Sequence, residues 1–275
     1  MGHVDEAYQT LLNDNTSGSS DVLKRTIEWL HPLLASGDPN ETEILAKLDL
    51  LCEAHPSMAL LRTFSAHFHT VPLKPVEMDA WMVRYREHEV SACQHFSAHL
   101  SNFTNILVHS YSGMLYQSLK NVLKRLNIYC TESRPAFEGR FLAEKLAAHT
   151  NHKIYLIADI AAFSVLPRVE ITAFGCDAIT PRGIVNKLGT ATIAEIAQRQ
   201  GRMNYFIGTS EKVLEDWNDD FLLRHGSREE IYKGNLPVQI ENYYFDLTPP
   251  PYVGGLFLET GLQGCFDDAK TPVSR

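Results

Sequence analysis

The sequence predicts an α/β protein: a helical N-terminal domain over residues 1–101, then a parallel-sheet domain over residues 102–275. Three observations carry this. Before position 101, apolar residues recur at helical spacing and no run reads as a strand. After Asn102, short apolar runs alternate with amphipathic stretches, as in a parallel sheet covered by helices on both faces. Finally, 275 residues with 44% hydrophobic content suffice for a large core and for one or two domains.

The helical half divides at its breakers. Ser19 or Ser20 can cap a helix carrying Val22, Leu23, Ile27, Leu30, Leu33 and Leu34, and Gly37-Asp38-Pro39 ends it. Thr42 to Glu53 is a second periodic segment, with Ile44, Leu45, Leu48 and Leu51 on one side. Pro56 suits the first position of a third helix, Ser57 to Phe68. Val71 to Pro75 reads as a linker, and 76–101 as a long amphipathic helix carrying Trp81, Val83, Val90 and Phe96.

In the second half, strands are expected at 105–108, 127–130, 153–158, 169–174 and 204–207. Helices are expected at 113–126, 139–148 and 191–200, with a short apolar one ending at Leu166. Ligands in such sheets sit at the carboxyl ends of the strands. The residues just after each apolar run are therefore the informative ones.

Composition narrows the function. The formal net charge is -8 and the pI about 5.8, which does not point to a nucleic-acid-binding surface. No apolar run approaches the roughly 20 residues of a membrane span. The acidic start, MGHVDEAYQTLLNDN, has no signal-peptide core, so a cytoplasmic location is expected. Five cysteines without a CxxC spacing argue against a disulfide framework or a structural zinc. Twelve histidines show no metal-binding spacing, and no metal ligand is assigned.

At the strand ends stand His109-Ser110-Tyr111-Ser112, Thr131-Glu132-Ser133-Arg134-Pro135, Asp159, Gly175-Cys176-Asp177 and Gly208-Thr209-Ser210-Glu211-Lys212. After Asp177, the turn signal Thr180-Pro181-Arg182-Gly183 leads through Asn186, Lys187, Gly189 and Thr190 into a helical pattern. An acid at a strand end, followed by a turn bearing Gly and Lys, builds a phosphate site with a proton-transfer group beside it. The residue set fits a small phosphorylated sugar: cations and amides for phosphate, an acid and hydroxyls for the sugar.

Four segments carry a resemblance: ILVHSYS (106–112), TESRPAFEGRFLAEKL (131–146), GCDAITPRGIVNKLGT (175–190) and LTPPPYVGGLFLETG (247–261). A fifth, NTSGSSDVLKRTIEWL (15–30), matches the start of a helical domain. They resemble the translation initiation factor 2B α/β/δ subunits and their enzyme relatives, the 5-methylthioribose-1-phosphate and ribose-1,5-bisphosphate isomerases. The resemblance implies a helical domain packed on a Rossmann-like domain, dimerisation through the latter to give a homodimer, and no metal or nucleotide cofactor. It also implies an aldose 1-phosphate ligand and aldose–ketose chemistry, or a non-catalytic role like that of the factor subunits. By the same resemblance Asp177 matches the catalytic acid, and Ser110 falls on the position of a catalytic cysteine. Asn186 and Lys187 match a pair at the substrate, Ser112 a phosphate or sugar contact, and Lys212 a lysine near the ligand.

The chain departs from the isomerases in three places. Ser110 replaces the cysteine, and a hydroxyl is a far poorer proton donor than a thiol of pKa about 8.5. Asn15-Thr16-Ser17-Gly18 stands where a phosphate-gripping Arg-Gly-Ala segment is found. His55-Pro56 stands where Arg-Pro is frequent; His55 can still bond phosphate, with fewer donors and a pH-dependent charge. Plainer readings compete. Asp177 could cap a turn, Lys187 could be a solvated loop lysine, and Ser110 could merely fill the space of a lost thiol. Glu132 and Arg134 could pair to fix subunit geometry. Cys130 and Cys176 read as buried inert thiols, and Tyr243-Tyr244-Phe245 as packing.

Overall fold

A computed structural model of the chain describes residues 2–14, 18–35, 40–218, 222, 226–235 and 237–264. Five helices come first: α1 (Gly2–Leu12), α2 (Ser19–Leu34), α3 (Glu41–Ala54), α4 (Ala59–Phe68) and α5 (Pro75–Leu100). The acidic start is thus helical, which its composition did not announce. The expected breaker Gly37-Asp38-Pro39 lies outside the described residues. Asn40 caps α3, its Oδ1 accepting from the Glu43 amide at 3.2 Å. Pro56 lies in the turn before α4, which begins at Ala59, while Pro75 takes the first position of α5. The bundle buries Leu23, Leu30, Leu48, Leu60, Phe64 and Trp81 completely or nearly so.

On α5 the expected apolar stripe divides. Trp81 and Phe96 are buried, but Val83 and Val90 are 55% and 56% exposed. The inward face follows Met78, Trp81, Tyr85, Ala92, Cys93, Phe96 and Leu100, and the two valines lie on the opposite side. The helix also serves two cores. Its first half packs in the bundle, while Phe96 and Leu100 pack against the sheet.

The sheet is built from β1 (Asn105–Val108), β2 (Asn127–Thr131), β3 (Lys153–Ile157), β4 (Ile171–Phe174), β7 (Met203–Ile207), β9 (Gly255–Leu258) and β10 (Gly261–Gln263). Their spatial order is β10-β9-β7-β4-β1-β2-β3, and only the β9–β10 pair is antiparallel. Helices α6 (Gly113–Lys120) and α7 (Glu138–His149) cover one face together with α5. Helices α8 (Ala162–Val165) and α9 (Thr190–Arg199) cover the other. The four residues of β4 are all buried, as expected for a central parallel strand.

A second, antiparallel sheet was not foreseen. Here β5 (Ala178–Thr180) and β6 (Gly183–Lys187) form a hairpin across the Pro181-Arg182 turn, and β8 (Phe245–Thr248) pairs with β6. The turn signal was real, but it joins two strands and not a strand to a helix. Gly183 is needed there: a Cβ would lie 2.1 Å from the Thr248 carbonyl oxygen, and its φ is +135°. Because Asn186 and Lys187 are strand residues, their side chains are fixed on opposite faces.

Candidate functional site

A cleft of about 570 Å3 opens between the bundle and the carboxyl ends of the central strands. From the sheet side Ser112, Asp177, Asn186 and Lys212 line it; from the bundle, the α2 start and α5, including Arg86 and Glu89.

Asp177 follows β4. Its amide donates to the Val185 carbonyl at 2.8 Å, and its carbonyl accepts from the Ala59 amide at 3.3 Å, so it is held between the hairpin and α4. Burial pushes its carboxyl above the ordinary value. The Lys212 and Lys187 ammonium groups pull it back, and Glu138 pushes it up again. Lys212, only 4% exposed, ends a short 3-10 turn, and its Nζ donates to the Cys176 carbonyl at 2.7 Å. Asn186 Nδ2 donates to Thr190 Oγ1 at 3.1 Å, and Ser112 caps α6 by accepting from the Leu115 amide at 3.4 Å.

Three expected site residues are placed away from the cleft wall. Lys187 is buried, with Nζ 2.6 Å from Glu138 Oε1, so it is neither solvated nor open to the cleft. Ser110 is 8% exposed at φ +67°, and its amide donates to Ser133 Oγ at 2.8 Å. His55 is 2% exposed inside the bundle, with Nε2 2.7 Å from the Leu11 carbonyl oxygen, where it ties α3 to α1. Asn15-Thr16-Ser17, in the place of the phosphate-gripping segment, lies outside the described residues, as does Cys265. Glu132 pairs with Arg140 at 2.6 Å, while Arg134 donates to the Glu230 carbonyl.

Among the described residues the thiols offer no easily ionised acid. Cys93 and Cys176 border the cleft, and burial pushes each up to about 11. Burial pushes Cys130 to about 12. Among the described residues, no three His, Cys, Asp or Glu side chains are grouped to hold a metal ion. Nor is any helix among them long and apolar enough to cross a membrane.

Several residues at the site were given no role by the sequence reading. His109 bridges the rim, with Nδ1 2.7 Å from Thr131 Oγ1 and Nε2 2.9 Å from the Leu188 carbonyl oxygen. Glu138, at the start of α7, holds Lys187. Tyr111 lines the cleft and accepts a hydrogen bond from Lys145 Nζ at 3.2 Å. Lys145 lies within the segment 131–146 singled out above, four residues after Phe141 and on the same helix face.

Comparison with known proteins agrees with this architecture. A ribose 1,5-bisphosphate isomerase of Methanocaldococcus jannaschii is 30% identical over 170 residues, covering 57% of this chain and 54% of that protein. The chain thus spans about half the length of the ribose 1,5-bisphosphate isomerases that it matches first, 54% and 46%. A translation initiation factor eIF-2B subunit 2-like protein of Pyrococcus furiosus is 25% identical over 287 residues, covering 94% of this chain and 95% of that protein. The crystal structure of a Pyrococcus horikoshii OT3 translation initiation factor eIF-2B shares the fold, with a TM-score of 0.85 at 24% identity over 94% of this chain and 96% of that one. The signature of the initiation factor 2 subunit family matches residues 5–265, and the chain belongs to that family.

Proposed function

We propose that this chain binds a sugar 1-phosphate in the cleft and interconverts aldose and ketose forms there, with Asp177 as the acid–base group. The observation that carries the reading is the meeting of Asp177, Asn186 and Lys212 at one strand-end cleft. A carboxyl pushed up by burial holds a proton more readily than a free one, which suits a group that takes a proton and then returns it. In the reaction, the ring C1–O bond breaks as a proton reaches the ring oxygen. Asp177 takes the C2 proton, forming the enol, and returns it to C1. The C2 hydroxyl then loses its proton, leaving the ketone and balancing the proton first delivered. A cleft water suits the ring-oxygen step better than Ser110, whose side chain is not among those lining the cleft. Asn186 and Lys212 hold hydroxyls, and Lys187 acts indirectly through its charge near Asp177. His55 is assigned to bundle packing. We assign the protein to the cytoplasm as a homodimer.

The second reading is a non-catalytic interaction protein that keeps the fold as a ligand-sensing and assembly module. The serine at position 110 and the raised thiols of Cys93 and Cys176 at the cleft favour it. NMR detection of product from a panel of aldose 1-phosphates decides between the two. Ketose formed by the wild type and not by Asp177→Asn supports the isomerase. Saturable chemical-shift changes without product support the sensor, and equal turnover by the variant removes Asp177 from the chemistry.

A further inference from the structure

We propose that Lys145, clasped by Tyr111, Tyr116 and Phe141, is the cation that holds the ligand's phosphate in this chain. The proposal rests on the sugar-phosphate reading and supplies it with a cation on α7; Arg86, a second cation lining the cleft, stands across from it on α5 in the bundle wall. Lys187 is committed to Glu138 at 2.6 Å. Lys212 is 4% exposed and donates to the Cys176 carbonyl. Lys145 lines the same cleft and has no carboxylate partner among the described residues; its hydrogen bond goes to the Tyr111 hydroxyl at 3.2 Å.

The surroundings of Lys145 prepare it for an anion. Its Nζ lies 4.6 Å from the Tyr116 ring centroid, 4.9 Å from that of Phe141 and 5.3 Å from that of Tyr111. Ring faces stabilise the ammonium charge without neutralising it and hold a flexible stem in one place. An ammonium has three donors, and Tyr111 takes one of them. The remaining donors are free for phosphate oxygens, beside Ser112 and Gly113, which line the cleft where α6 begins. The ordering cost of the lysine stem is thereby met before the ligand arrives.

The test is calorimetric titration of the full chain with ribose 1-phosphate and, separately, with inorganic phosphate. Loss of a charge-assisted bond should weaken ribose 1-phosphate binding by Lys145→Met about tenfold to a hundredfold. Lys145→Arg should recover most of that loss. Should the methionine variant fail to fold, Tyr111→Phe carries the test with an expected weakening of about threefold to tenfold. Equal affinities of wild type and both Lys145→Met and Tyr111→Phe overturn the proposal and leave the sugar-phosphate reading standing. Inorganic phosphate bound through Lys145, with no binding of ribose 1-phosphate, supports the proposal and removes ribose 1-phosphate as the ligand. A wild type that binds neither overturns the proposal.

Discussion

Lys187 Nζ lies 2.6 Å from Glu138 Oε1, and the other carboxylate oxygen, Oε2, is buried without a partner among the described residues. The pair therefore joins β6 to the start of α7, and both of its charges act on Asp177. Glu138→Gln keeps an acceptor for the lysine but removes the balancing charge. We expect a loss of about 1–3 kcal/mol, below the full cost of breaking a buried pair because the Glu138 side chain is 27% exposed. Chemical denaturation measures it. The Asp177 carboxyl should also titrate lower, since Glu138 pushes it up. An unchanged Asp177 titration by carboxyl 13C NMR would show that the two acids do not communicate.

Asp246 makes stability depend on pH. Its carboxylate accepts from the Gly189 amide at 2.7 Å and from the Ala191 amide, capping α9, yet burial pushes it up to about 7. The folded chain thus keeps a proton that the unfolded chain releases near pH 4. Where the native state binds more protons, stability falls as pH rises. The Asp246 contribution is accordingly greatest below about pH 4 and is lost by about pH 7, a change of about 4 kcal/mol. Asp246→Asn should flatten urea-denaturation midpoints across that window. A wild-type profile that rises from pH 5 to 7, with no flattening in the variant, would count against this assignment.

The elements legible from sequence are those with a period or a continuous apolar run. Helices α2 to α5 announce themselves because burial on one face recurs at about 3.6 residues, and strands such as 105–108 because a short apolar run is buried on both faces. Three-residue β5 is too short to show a period, so the hairpin after Asp177 looked like a turn into a helix. Val83 and Val90 share the spacing of a buried stripe yet face outward, because spacing does not say which stripe meets the core. At the site, Asp177 is legible from its strand-end position. The Lys187–Glu138 and Lys145–Tyr111 pairs span 49 and 34 positions and arise only from packing.

Gly175 sets the distance between two strand ends. A Cβ there would lie 2.6 Å from Ser112 Cβ and 2.8 Å from its Oγ. Ser112 caps α6 with that oxygen, so it cannot swing away without giving up the cap. Gly175→Ala should cost about 1–3 kcal/mol through overpacking and should weaken ribose 1-phosphate binding by displacing Ser112. A variant with wild-type stability would mean that the rim has slack.

Lys212 and Glu138 act on Asp177 in opposite senses, and this permits a test that simple disruption cannot imitate. Lys212 lowers the Asp177 carboxyl and Glu138 raises it. Lys212→Met should therefore move the Asp177 titration upward, whereas Glu138→Gln moves it downward. General damage to the cleft would admit water and shift both variants the same way, toward the ordinary carboxylate value. If Asp177 serves as the base, the acid limb of the pH–rate profile should follow each shift in its own direction, because only the ionised carboxylate accepts the C2 proton. Lys212→Met also leaves the Cys176 carbonyl without the donor it has at 2.7 Å. Removing a desolvated ammonium offsets part of that loss, so the net stability change should stay within about 2 kcal/mol. A downward Asp177 shift in Lys212→Met would exclude direct charge coupling and remove Lys212 from the acid–base machinery.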